Sequence, residues 1–143
     1  MYKSVLVATD GSQTAGQAVR VAIELAAIFE ATLHVVNIHA SNTGSSLGVT
    51  AMTIPPEAVD FGEEATAHAE SVASLARQKG LASTSHVGSG DPATQIVAIA
   101  KDEGVDLIVV GNRGMRGLKR VLGSVPNAVA HRAPCAVLIV NTT

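Results

Sequence analysis

The sequence predicts an α/β fold, a single doubly wound, Rossmann-like parallel sheet of five strands with four helices. Three observations predict it. Short apolar runs rich in Val, Ile and Leu alternate with helix-period segments along the whole chain, and parallel strands need crossover helices of that kind. Segments 1–40 and 105–140 each read as strand, polar or glycine turn, helix. The 143 residues are 47% hydrophobic and only 15% charged, enough to bury one core, so residues 1–143 are expected to form one domain.

The first strand is Ser4-Val5-Leu6-Val7-Ala8-Thr9, which stops at Asp10-Gly11-Ser12. Ala15, Ala18, Val19, Ala22, Ile23, Ala26 and Phe29 then recur at helical spacing. Leu33 to Ile38 is a second strand, rich in β-branched residues. Residues 40–56 carry Ser, Gly, Asn and Pro55-Pro56 without periodicity and read as a long loop. A helical pattern runs from about Glu57 to Lys79 and ends at Gly80, which can take the left-handed C-cap conformation.

Ser83–Val87 is a short strand. Gly90-Asp91-Pro92 then opens a helix, because Asp91 can accept from the free N–H groups and Pro92 presets φ in the first turn. Ala93, Ile96, Val97 and Ala100 mark its buried face. After Gly104 come a strand at Asp106–Val110, a glycine-bearing loop, a helix at Ser124–Arg132 and a last strand at Ala136–Val140.

Composition excludes several classes of function. With no Trp, one Tyr and two Phe, there is no aromatic platform for stacking bases, and a net charge of −2 argues against a polyanion partner. No nucleic acid is therefore expected. The charge is unevenly spread: Asp106 is the last carboxylate, and Arg113, Arg116, Lys119, Arg120 and Arg132 follow it, so residues 1–106 sum to −7 and residues 107–143 to +5. That asymmetry suits an anion site, or a solvated basic loop. A lone cysteine, Cys135, leaves no internal disulfide framework. No apolar run approaches the roughly 18 residues needed to cross a bilayer, and the N-terminus lacks a signal-peptide pattern. The expectation is a cytoplasmic protein without a membrane partner.

In an open parallel sheet, ligands bind beyond the carboxyl ends of the strands where strand order reverses. Asp10-Gly11-Ser12, Asn37-Ile38-His39 and Gly111-Asn112-Arg113-Gly114 all fall at such ends. The last of these leads through a basic loop to Gly123-Ser124-Val125-Pro126, a Ser-started helix whose N–H groups suit a phosphate. The loop is neither a Walker A motif nor Gly-x-Gly-x-x-Gly. Among the histidines His34, His39, His68, His86 and His131 no metal-ligand spacing is visible, and no metal ligand is assigned. His39 alone is expected at the crevice. Cys135 reads as a packed thiol, and no hydrolytic triad or carboxylate pair stands out, so no catalytic residue is assigned.

These residues carry a resemblance. Val7-Ala8-Thr9-Asp10-Gly11-Ser12, Leu33-His34-Val35-Val36, Gly90-Asp91-Pro92, Asp106–Gly111, Gly111-Asn112-Arg113-Gly114 with Gly123-Ser124-Val125, and Cys135–Val140 together resemble the nucleotide-binding branch of the universal stress protein family over nearly the whole chain. The resemblance implies strand order 3-2-1-4-5, a homodimer paired through the C-terminal strand, and bound ATP in many members. AMP and cyclic AMP are alternatives, and the C-terminal sequence resembles a branch in which some members bind cyclic AMP. It further implies that Ala8, Thr9, Asp10, Ile38, Val110, Gly111, Arg113, Gly114, Gly123, Ser124 and Val125 line the nucleotide. In that scheme Asp10 bonds the ribose, the Ile38 backbone meets the adenine edge, Gly111, Arg113 and Gly114 line the ribose-phosphate side, and Gly123, Ser124 and Val125 donate to phosphate oxygens.

Each assignment has a structural alternative. Asp10 can cap the first helix, Ser124 can cap the last, and Gly111 and Gly114 can serve a tight turn. Nucleotide-binding members show nine residues between the second and third glycines of the loop motif; here eight, Met115–Leu122, separate Gly114 from Gly123, and Gly117 is able to absorb the difference. Magnesium is expected only with a polyphosphate ligand. The implied function is a dimeric sensor or switch in stress response with at most weak ATPase activity. A dimeric interaction module of the same fold that binds no nucleotide is the alternative.

Overall fold

The strand Ser4–Thr9, β1, is apolar without alternation because both of its faces are covered: Val5, Leu6 and Val7 are wholly buried. Around it the structure, a computed structural model, describes residues 1–39, 61–112 and 124–142. The remaining elements are α1 (Ala15–Phe29), β2 (Thr32–His39), α2 (Phe61–Gln78), β3 (Ser83–Ser89), α3 (Pro92–Asp102), β4 (Leu107–Gly111), α4 (Ser124–Arg132) and β5 (Ala136–Val140). The strands form one parallel sheet in the order β3-β2-β1-β4-β5, as expected.

Two cores follow from this topology. Val5, Val7, Leu33, Val35, Leu107 and Val109 point to one face, where Ala18, Ala22, Ile23 and Ala26 of α1 and Ala69, Val72, Ala73 and Ala76 of α2 cover them. Leu6, Ala8, Val36, Ile38, Ile108 and Val110 point to the other, beneath Ala93, Ile96 and Ala100 of α3 and Val125 and Val129 of α4. The helices press alanines against the sheet, so their backbones approach closely without aromatic side chains. Full burial of a side chain such as Leu6 or Leu33 stabilises the fold by roughly 1.5–3 kcal/mol.

Local signals explain the helix ends. The Asp91 carboxylate accepts from the Thr94 N–H at 3.0 Å and from its hydroxyl at 2.6 Å, with Pro92 in the first turn. Gly80, after α2, has φ +89°, the left-handed conformation expected of it. At the far end of β1, the Asp106 carboxylate accepts from the N–H groups of Lys3 at 3.0 Å and Ser4 at 3.1 Å. The fourth strand accordingly starts at Leu107 rather than Asp106: Asp106 bridges two strand entrances.

Strands two and three run past their expected ends, to His39 and Ser89, because their register pairs Asn37 with Val87, Ile38 with Gly88 and His39 with Ser89. The expected loop 40–56 and the start of the second helix at Glu57 lie outside the described residues. His34, buried on β2, meets His86 of β3 with Nδ1 and Nε2 3.1 Å apart. Burial, and secondarily His86, lowers its pKa below the ordinary histidine value, against the pull of Glu103. Burial also pushes the Cys135 thiol up, as a packed thiol requires. Among the described residues no helix is long and apolar enough to cross a membrane.

Candidate functional site

The chain leaves β1 for α1 and β2 on one side of the sheet, and β4 lies on the other side of β1. Strand order therefore reverses between β1 and β4, and a crevice opens beyond their carboxyl ends. Thr9 and Asp10 stand at one wall and Gly111 and Asn112 at the other, since Val7 pairs with Val109 just below.

The β1 wall is a chain of local hydrogen bonds. Thr9, 2% exposed, accepts at Oγ1 from the Gly11 N–H at 3.1 Å. Asp10 Oδ1 accepts from the Ser12 N–H at 2.9 Å. Gly11 holds φ +83°, a conformation that a side chain strains. Ser12 Oγ in turn accepts from the Ala15 N–H at 3.2 Å, so Ser12 caps the first turn of α1. Asp10 thus holds the turn before the helix, and Ser12 serves the helix's first turn.

Histidine placement differs from expectation. His68 of α2 also reaches this wall, with Nε2 3.5 Å from Thr9 Oγ1, and its ring is the nearest group to the space beside Gly11. From sequence only His39 is expected at the crevice, because α2 is remote in sequence and its rotation about its own axis decides which residue faces the turn.

The β4 wall is held by Asn112. Its N–H donates to the Val140 carbonyl at 2.9 Å, and its Oδ1 accepts from the N–H of Thr142 at 3.0 Å and from the Thr142 hydroxyl at 2.9 Å. The sequence places Asn112 in the glycine-bearing stretch at this strand end but assigns it no role of its own. Its position directly after an apolar strand was the available signal, since a side-chain amide there can substitute for backbone partners.

Ala8, Ile38, Val110 and Val125 all belong to the core cluster under α3 and α4. Their side chains are used in packing, so what they can present to a ligand is backbone. Gly111, half-buried at the end of β4, is similarly placed to offer main chain. Ser124 begins α4, and the first N–H groups of a helix have no intrahelical partner. Arg113, Gly114 and Gly123 lie outside the described residues. The structure thus puts Ala8, Thr9, Asp10, Ile38, Val110 and Gly111 at or just past the carboxyl ends of their strands, with Val125 in the first turn of α4.

Comparison with known proteins agrees with this architecture. The model of the universal stress protein family matches residues 1–141. The chain belongs to the universal stress protein family. Universal stress protein YxiE of Bacillus subtilis is 33% identical over 147 residues, covering 98% of this chain and 99% of that one. Among solved structures, hypothetical protein MJ0577 superposes with a TM-score of 0.80 at 28% identity, covering 99% of this chain and 96% of the other. A universal stress protein in complex with cAMP superposes with a TM-score of 0.68 at 29% identity, covering 99% and 98%. The sheet order and the four helices among the described residues match the universal stress protein fold.

Proposed function

We propose that this universal stress protein binds an adenine nucleotide in the crevice between β1 and β4 and acts as a dimeric sensor or switch in stress response. The observation that carries the reading is the convergence of Asp10 and Gly111 on either side of the strand-order reversal, with α4 beginning at Ser124. A carboxylate at the end of the first strand suits ribose hydroxyls, main-chain groups suit the base edge, and a helix N-terminus suits phosphate. The structural neighbour that holds cAMP supports an adenine ligand. ATP, AMP and cyclic AMP remain the three candidates, with magnesium relevant only to a polyphosphate.

The crevice is built for binding rather than turnover in this reading, with at most weak ATPase activity. Dimerisation is inferred from β5, an edge strand whose Leu138 and Ile139 are 37% and 42% exposed; an apolar edge invites a second strand. The test is equilibrium titration of nucleotide-free protein with ATP, AMP and cyclic AMP. Saturable binding of one of them is expected. No binding at millimolar concentrations would leave the interaction module as the function of the fold.

A further inference from the structure

Away from the crevice, toward the N-terminal end of β2, the sheet brings two histidines together. Leu33 and Val35 face α1 and α2 while Val36 and Ile38 face α3 and α4, so alternation puts His34 on the α3 side. Val36 pairs with His86 and His34 with Thr84, which makes the imidazoles diagonal neighbours on one face. His34 Nδ1 and His86 Nε2 are 3.1 Å apart, with ring centroids 5.2 Å apart and planes tilted by 35°. Glu103 follows α3, its backbone N–H held by the Ile99 carbonyl at 2.9 Å. One ligand atom from each of His34, His86 and Glu103 lies within 4.8 Å of the other two.

We propose that His34, His86 and Glu103 form a binding site for a divalent cation of zinc's class, with two imidazole nitrogens and one carboxylate oxygen as protein ligands and a position left for water. Nitrogens bonded at 2.0–2.1 Å to a tetrahedral zinc stand about 3.3 Å apart. The observed 3.1 Å separation is close to that spacing, so the cation takes the place of the hydrogen bond once the rings turn their lone pairs toward it. The donor set discriminates among metals: imidazole selects zinc and its neighbours, whereas calcium and magnesium take oxygen ligands. Rigidity and access are divided among the three residues. Buried His34 is fixed by the sheet, half-buried His86 by its edge strand, and Glu103 is exposed, so its long side chain closes over the ion from solvent.

The site lies about 13 Å along β2 from Ile38, four residues at about 3.3 Å each, and its occupancy is independent of the nucleotide reading. No metal spacing is visible in the sequence because the histidines are 52 positions apart and belong to different strands.

The test uses the full chain without an affinity tag, stripped of metal by a chelator and free of nucleotide. Titration with Co²⁺ is expected to give the visible bands of a four-coordinate site at one equivalent, and Zn²⁺ to abolish them. H86A and E103Q, which spare the buried histidine, are expected to retain the native circular dichroism. Each is expected to weaken zinc binding by more than about tenfold, since loss of even a ligand's supporting partner costs about 10–100-fold. Zinc is expected to raise the melting temperature of the parent chain but not of H86A. Failure of the parent to bind zinc at about 100 μM, or binding by both variants as tight as the parent's, overturns the proposal.

Discussion

Asn112 and Thr142 are joined twice: one carboxamide oxygen of Asn112 accepts from both the main-chain N–H and the hydroxyl of Thr142. Thr142 is 7% exposed, so this pair buries the chain just past β5 and fixes the residue at which the glycine loop leaves β4. Asn112→Ala strands a buried N–H and hydroxyl. It is expected to destabilise the protein by about 1–3 kcal/mol, read from urea unfolding, and to speed hydrogen exchange at the Thr142 amide. A variant with unchanged midpoint and exchange would show the pair to be incidental.

Asp10 combines a local bond with the proposed ribose contact. Asp10→Asn keeps an acceptor for the Ser12 N–H but removes the charge. It is expected to retain stability within about 0.5 kcal/mol while weakening adenine-nucleotide binding about tenfold or more, the scale of one charged hydrogen bond. Calorimetric titration of the two proteins checks both halves.

Gly11 holds φ +83° with only ordinary contacts around the missing side chain. Gly11→Ala should therefore cost about 1–2 kcal/mol through backbone conformation alone, and Gly16→Ala, in α1 with nothing within 4 Å, should stabilise by up to about 1 kcal/mol. Opposite signs for the two glycines in thermal unfolding are the expected result.

The helix cap at Asp91 has a pH signature. Hydrogen bonds from the Thr94 side chain and backbone hold its carboxyl below the ordinary aspartate range. A depressed folded-state pKa means stability that is present above the unfolded value and lost as the pH falls through the folded one. Asp91→Ala is expected to cost about 1 kcal/mol at neutral pH. The gap to the parent should narrow on acidification through the carboxylate range, measured by urea unfolding at a series of pH values.

Dimerisation through β5 predicts that Ile139→Lys, at an exposed position of the strand, halves the mass seen by light scattering. The fold should survive, because the substituted side chain is outside both cores. A parent chain already monomeric at micromolar concentration would remove the edge-strand inference.

Much of this architecture is legible in the chain, for particular reasons. β1 and β5 begin and end where expected because glycine, proline or polar residues bound their apolar runs, and α4 begins at Ser124 as expected. The end of β3 was less legible, because its Ser83-Thr84-Ser85-His86 composition carries little apolar signal and pairing with β2 sets its length. At the site, Thr9, Asp10 and Gly111 could be placed from strand ends alone. His68 could not, since its reach depends on how α2 is rotated, and the bonds that Asn112 makes depend on where the chain goes after β5. The pairing of His34 with His86 is a product of register, which no linear spacing encodes.

The bridge from Asp106 to the N–H groups of Lys3 and Ser4 joins positions 103 and 102 apart, and this has a consequence for biosynthesis. The central strand leaves the ribosome about 100 residues before its β4 neighbour. At about 5–20 residues per second, β1 waits roughly 5–20 s with one apolar edge unpaired. During that interval the nascent chain displays a template for foreign strands, and the window in which a chaperone can protect it closes only when Asp106 arrives.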